Sequence, residues 1–157
     1  MFKFFVIAFL VAGLGRCDKI HAGIGSVTEQ KGNASITRNK SSIDVKKNTS
    51  VDSMDLVQTG AGVVGIKFED DTQVKVTENS KLLIDDFVYD PNSKGAGKLA
   101  MKVALGTVRY ASGAVAKENN RNVAISTPTA TVAVRGTAFT MTVDEIGQSL
   151  VILLPNA

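Results

Sequence analysis

The chain has 157 residues, with 18 Lys and Arg against 15 Asp and Glu, and a single cysteine and a single histidine. That length holds one domain able to bury its own core, and leaves no room for a second. Cys17 and His21 both fall in the first 22 residues, a stretch that reads as a cleaved leader. Its loss removes thiolate and imidazole metal sites, disulfides and Ser-His-Asp or Cys-His pairs from the range of functions.

Residues 1–22 open with Lys3, run apolar from Phe4 to Leu14, and end in Arg16-Cys17-Asp18-Lys19-Ile20-His21-Ala22. This is the pattern of a secretory signal cut after Ala22. The apolar run is shorter than the roughly 20 residues of a membrane-spanning helix, so no stable span is expected after cleavage. The alternative, a lipoprotein attached at Cys17, is opposed by Arg16, because such signals place a small residue before the cysteine. The cut takes three of the 18 basic residues and one of the 15 acidic ones, leaving a charge of about +1. With no basic stripe, and only Phe68, Phe87, Tyr89, Tyr110 and Phe139 as mature aromatics, nucleic acid is not an expected partner.

From Gly23 onward short alternating stretches are separated by turn clusters, and no segment has a period of 3.6. Ser26–Gln30 and Ala34–Arg38 read as strands around a Lys31-Gly32-Asn33 turn. Residues 39–53 read as polar loop with one short strand near Ile43–Val45. Leu56-Val57 lead into a glycine turn at Gly60-Ala61-Gly62, then Val64, Ile66 and Phe68 alternate up to Asp70-Asp71. Val74–Val76, Leu82–Ile84 and Phe87–Tyr89 follow as separate strands. After the loop Asp90–Gly97, Leu99, Met101, Val103 and Leu105 alternate up to Gly106, and a further strand carries Val108 and Tyr110. Asn119–Asn122 reads as a turn before Val123 and Ile125. Thr131–Val143 and Ser149–Leu154 are the last strands. The pattern predicts an all-β single domain over 23–157 of roughly ten short strands, either a β-sandwich or a solenoid-like roll.

Two motifs dissolve on inspection. Gly60-Ala61-Gly62-Val63-Val64-Gly65 fits the dinucleotide fingerprint, with Asp85 at the right distance, but runs into a strand alternation where the fingerprint needs a helix. Glu69-Asp70-Asp71 and Asp85-Asp86 with Asp90 offer carboxylates to a hard cation, but without EF-hand spacing they read as solvated turn residues. No cofactor and no catalytic residue is expected. In Thr127–Phe139 the apolar set shifts from Val132 and Val134 to Phe139, Met141 and Val143, so the side-chain parity flips at Arg135-Gly136. A one-residue β-bulge does this, with Arg135 available to latch it.

The same stretch, Thr127-Pro128-Thr129-Ala130 through Val134-Arg135-Gly136-Thr137 to Phe139, resembles the "TPTA…VRGT-x-F" signature of FecR domains, the extracytoplasmic module of the ferric-citrate signalling regulator. Asp55-Leu56-Val57-Gln58-Thr59-Gly60, then Phe68-Glu69-Asp70-Asp71-Thr72 and Ser80-Lys81-Leu82, are similar to that family's "D-x-V-x-TG … F-x-DG-[ST] … S-x-L" succession. The resemblance spans about Gly25 to Leu154. The signature positions Asp55, Thr59, Gly60, Thr127, Pro128, Thr129, Ala130, Val134, Arg135, Gly136, Thr137 and Phe139 are structural candidates. Asp71 departs from the pattern, standing where the family has glycine.

The regulator carries an anti-sigma segment and a membrane helix ahead of this domain, whereas here a signal peptide precedes it. The resemblance therefore implies an exported, standalone, non-enzymatic domain in the periplasm or medium, shortened or truncated at its C-terminus. A protein partner at the envelope is expected, and homo-oligomers are open. The alternatives are a sensory ligand-binding domain of such a signalling system and a structural component of a phage-like particle.

Overall fold

The computed structural model describes residues 23–155, so the expected leader, with Cys17 and His21, lies outside the described residues. Eleven strands follow in chain order: β1 (Gly25–Arg38), β2 (Ser41–Asp44), β3 (Ser50–Val51), β4 (Leu56–Phe68), β5 (Gln73–Val76), β6 (Lys81–Val88), β7 (Lys98–Ala111), β8 (Val123–Ser126), β9 (Thr131–Ala133), β10 (Ala138–Val143) and β11 (Ser149–Leu153). A short helix, α1 (Ala114–Glu118), and a 3-10 turn at Asn120–Asn122 connect β7 to β8. That crossover is needed because β7 and β8 pair in parallel, the one parallel ladder among the described residues.

The strands form one hydrogen-bonded sheet in the order β11-β10-β7-β5-β4-β1-β2, with β3 on β1, β6 between β4 and β7, and β8 and β9 side by side beyond β7. The registers fold this sheet over on itself. β5 and β6 run in one lane between β4 and β7, broken at Thr77–Ser80. At the same level the long strands switch parity. Buried Val57 and Thr59 give way to Val64, Ile66 and Phe68 in β4, and Leu99, Met101 and Val103 give way to Val108 and Tyr110 in β7. An unbroken pleat keeps one parity, so each switch marks a bend.

The result is two layers joined along a corner. The front layer holds β2, the ends of β1 and β4 that pair at Ala34–Thr37, β6, the first part of β7, β8 and β9. The back layer holds β3, the other parts of β1, β4 and β7, with β5, β10 and β11. The rings of Phe68 in the back layer and Phe87 in the front layer lie 5.3 Å apart between centroids, and the buried apolar side chains of both layers form one cluster. This is a small β-sandwich with roll-like connections. α1 closes the end opposite the corner, burying Val115 and Ala116.

Several expected boundaries move. The glycines at 32, 60, 62 and 106 do not end strands: β1, β4 and β7 pass through them as single strands of 14, 13 and 14 residues. Gly106 shows why the bend needs that residue. Its φ is +84°, and a Cβ there would lie 2.1 Å from Ser80 Oγ, so both the backbone conformation and the space favour glycine. Leu82–Ile84 and Phe87 belong to one strand, β6, with an irregularity between Ile84 and Asp86. The polar stretch 39–53 contains β2 and β3, and α1 breaks an otherwise all-strand expectation. It is too short for helical periodicity to be visible.

Candidate functional site

Four sets of signature residues hold the sandwich at four places. At the corner, Thr59 is buried. Its hydroxyl donates to Thr77 O and accepts the Ser80 amide at 3.0 Å, while Gly60 O accepts the Asn79 amide at 2.9 Å. Ser80 Oγ in turn accepts the Thr107 amide at 2.9 Å and donates to Glu78 O at 3.0 Å. Thr59-Gly60 and Ser80 thus replace the ladder bonds that the break between β5 and β6 would leave unmade.

Asp55 sits just ahead of β4, with no solvent exposure. Its carboxylate accepts from Arg38 Nε at 2.8 Å, from Arg38 Nη2 at 2.7 Å, and from the Asp52 amide at 2.8 Å. Arg38 also bridges Asp52 at 2.7 Å and donates to Ser50 O at 3.0 Å. The Asp55 hydrogen bonds hold the guanidinium above its ordinary pKa. A two-pronged pair of this geometry fixes β3 and the start of β4 to the end of β1.

The turn between β4 and β5 corrects an expectation. Asp70 is not a solvated turn residue: it is 1% exposed and accepts from Thr72 N at 3.0 Å, Thr72 Oγ1 at 2.8 Å and Val115 N at 3.1 Å. It therefore meets one of the free amides at the start of α1 and pins the closing helix to the sheet. Asp71, beside it, is exposed, with φ +66° and an ion pair to Lys67 at 2.8 Å. The departure from the family's glycine thus falls where the backbone enters the region glycine occupies without cost. Among the described residues, no group of three or more His, Cys, Asp or Glu is placed to hold a metal ion.

The long signature lies on the far side of the sheet from Asp55. Thr127 N donates to Ala130 O at 2.8 Å and Ala130 N to Thr127 Oγ1 at 3.0 Å, closing the Thr127-Pro128-Thr129-Ala130 turn between β8 and β9. Two further bonds carry this turn to the next hairpin: Thr129 Oγ1 donates to Gly147 O at 2.7 Å and Ser149 Oγ to Thr127 Oγ1 at 2.7 Å. The expected one-residue bulge at Arg135-Gly136 is replaced by a strand change. β9 ends at Ala133 in the front layer, Val134–Thr137 crosses the open end, and β10 starts at Ala138 in the back layer.

Within the crossing Val134 is buried, Gly136 has φ +72°, and Thr137 O accepts Ser112 Oγ at 2.8 Å. Arg135 is exposed and lines an open depression of about 420 Å³ with Lys117, Asn119 and Asn120. The latch role expected of it finds no carboxylate within ion-pair distance among the described residues. Phe139 stacks on Tyr110 at 5.2 Å between centroids, seating β10 on β7. The signature thus supports both ends of the β10–β11 hairpin.

Sequence reasoning missed that hairpin's outer strand as a surface. Among the described residues β11 pairs with β10 alone. Its Leu150, Ile152 and Leu153 are 60%, 53% and 70% exposed, Val151 is 37% exposed, and Ile146 in the preceding turn is 76% exposed. The signal was present, since Leu150-Val151-Ile152-Leu153-Leu154 is an unbroken apolar run, but such a run reads equally as a central strand.

The FecR protein family model matches residues 55–156. The chain belongs to that family. The match begins at Asp55, so β1–β3, which the resemblance was expected to include, lie ahead of it. FecR domains are non-catalytic and typically periplasmic modules, and this chain is a non-enzymatic one. No curated protein and no solved structure matched the chain. Among the described residues no helix is long and apolar enough to cross a membrane.

Proposed function

We propose that the chain is an exported FecR module that binds protein at the cell envelope, and that its contact surface is the free edge of β11. The observation that carries this reading is the exposure of four apolar side chains on a strand whose outer backbone groups have no partner strand among the described residues. Unpaired edges of this kind accept a strand from another chain, with main-chain hydrogen bonds giving affinity and alternate side chains giving selectivity. The leader pattern of residues 1–22 supports export, and the family's usual compartment agrees with it.

The test is a photo-crosslinking amino acid at Ile152, compared with one at Lys40 beside β2, in intact cells. Envelope-fraction adducts formed from position 152 and not from position 40, on a chain whose mass begins at Gly23, are the expected result. Equal labelling from both positions, or a mature chain in the cytoplasm, would overturn the reading.

A further inference from the structure

The geometry points to one occupant for this edge: we infer that two copies of the chain join by antiparallel β11–β11 pairing about a twofold axis at Val151. The inference rests on the reading of β11 as the contact edge and names what covers it. The ladder itself selects the register. Leu154 N donates to Ala138 O at 2.9 Å, which fixes Ala138 and Leu154 as a directly bonded pair. In an antiparallel ladder bonded residues alternate, so Ile152 and Leu150 also turn their N–H and C=O toward β10. Ser149, Val151 and Leu153 turn theirs outward.

A twofold centred on Val151 sets Val151 against its own copy and Ser149 against Leu153 of the second copy. Every outward N–H then faces an outward C=O. Centring on Ile152 instead would set Ser149 against Pro155, which has no N–H to give.

Side chains and charge agree with that register. It brings exposed Leu150 beside Ile152 of the second copy on the outer face, and the two Val151 side chains together on the inner one. An edge that meets itself also meets its own charges, and like charges directly opposite are destabilising. Gln148–Leu154 contains no charged residue, whereas β2 is flanked by Lys40, Lys46 and Lys47, and β9 by Arg135. Asp144 and Glu145, at the tip of the β10–β11 connection, run antiparallel to their counterparts and lie away from each other. β3 and β9 have two and three residues, too short to hold a partner by ladder alone.

The experiment is sedimentation equilibrium on the purified full chain across concentrations of about 1–100 μM, a range in which association of this kind depends on protein concentration. A dimer mass is expected. Val151→Pro removes an amide that β10 does not use, so it leaves the internal ladder whole and breaks the central pair between copies. It is expected to raise the dimer Kd by at least about tenfold with an unchanged circular dichroism spectrum.

Should that variant fail to fold, Ile152→Lys on the exposed outer face carries the same expectation. A wild-type monomer throughout the range, or a dimer indifferent to the variant that folds, overturns self-pairing. A monomer that still crosslinks through position 152 to another protein overturns self-pairing and leaves the contact-edge reading standing; loss of both signals overturns both.

Discussion

The two lateral margins of this sheet receive opposite treatment. On the β1 side the margin is dressed by β2 and β3 and locked by Arg38, whose guanidinium spans Asp52, Asp55 and Ser50 O around a carboxylate with no solvent exposure. On the β9/β11 side the last strand is apolar on both faces from Leu150 to Leu153, and beyond the Thr127–Ala130 turn at Ser149 no described strand pairs with its outer edge. An uncovered edge is therefore not forced on the molecule by its fold. The same chain seals one margin with buried charge and keeps charge off the other, which is the arrangement of a surface meant to be met.

Substitutions separate the two margins by cost. The largest effect is expected from Arg38→Ala, which strands the Asp55 carboxylate in the interior. Loss of a partner in such a pair costs about 3 kcal/mol or more, read as a lower urea midpoint with β3 and the turn before β4 opening. Asp70→Ala removes three hydrogen bonds, one of them to the start of α1, and is expected to cost about 2 kcal/mol. Protease cleavage near α1 should accompany the midpoint shift; its absence would show that Val115 and Ala116 hold the helix by packing alone.

Asp71→Gly runs the other way. It relieves a positive φ at the loss of one exposed ion pair, and a gain of about 0.5–1 kcal/mol is expected from relief of the left-handed conformation, visible as a higher Tm. The smallest effect belongs to the open margin. Leu150→Thr with Ile152→Thr should leave stability within about 0.5 kcal/mol of the wild type. A drop as large as that of Arg38→Ala would mean that β11 is part of the fold's own support, and the contrast between margins would fail.

The layers of this molecule were legible in the sequence where side chains alternate without interruption. Val64, Ile66 and Phe68, then Leu99, Met101 and Val103, are buried as the two-residue period demands. Glycine was the systematic difficulty. Gly32, Gly62 and Gly106 carry the local mark of a turn, yet a turn and a bend within a strand ask the same of φ. What distinguishes them is a remote partner: Gly32 lies opposite Gly62, and Gly106 lies against Ser80. Asp70 posed the same problem. Its local bonds to Thr72 do not announce burial, because the further amide it receives, that of Val115, comes from a five-residue helix far along the chain. The strand change at Val134–Thr137 was visible as a parity flip, but a flip records only that faces exchange, and a bulge and a change of layer both satisfy it.

The bent strands have a consequence for how the molecule comes apart. β1, β4 and β7 each contribute to both layers, so neither layer can peel away without pulling the same backbone out of the other. Amide hydrogens in the two layers should therefore exchange through one shared global opening, with a common free energy. Only strands confined to a single layer are released from that coupling, and β11, whose ladder runs to β10 alone among the described residues and whose Leu150–Leu153 stretch has no Arg38-type lock, can fray and re-form while the rest of the domain stays shut.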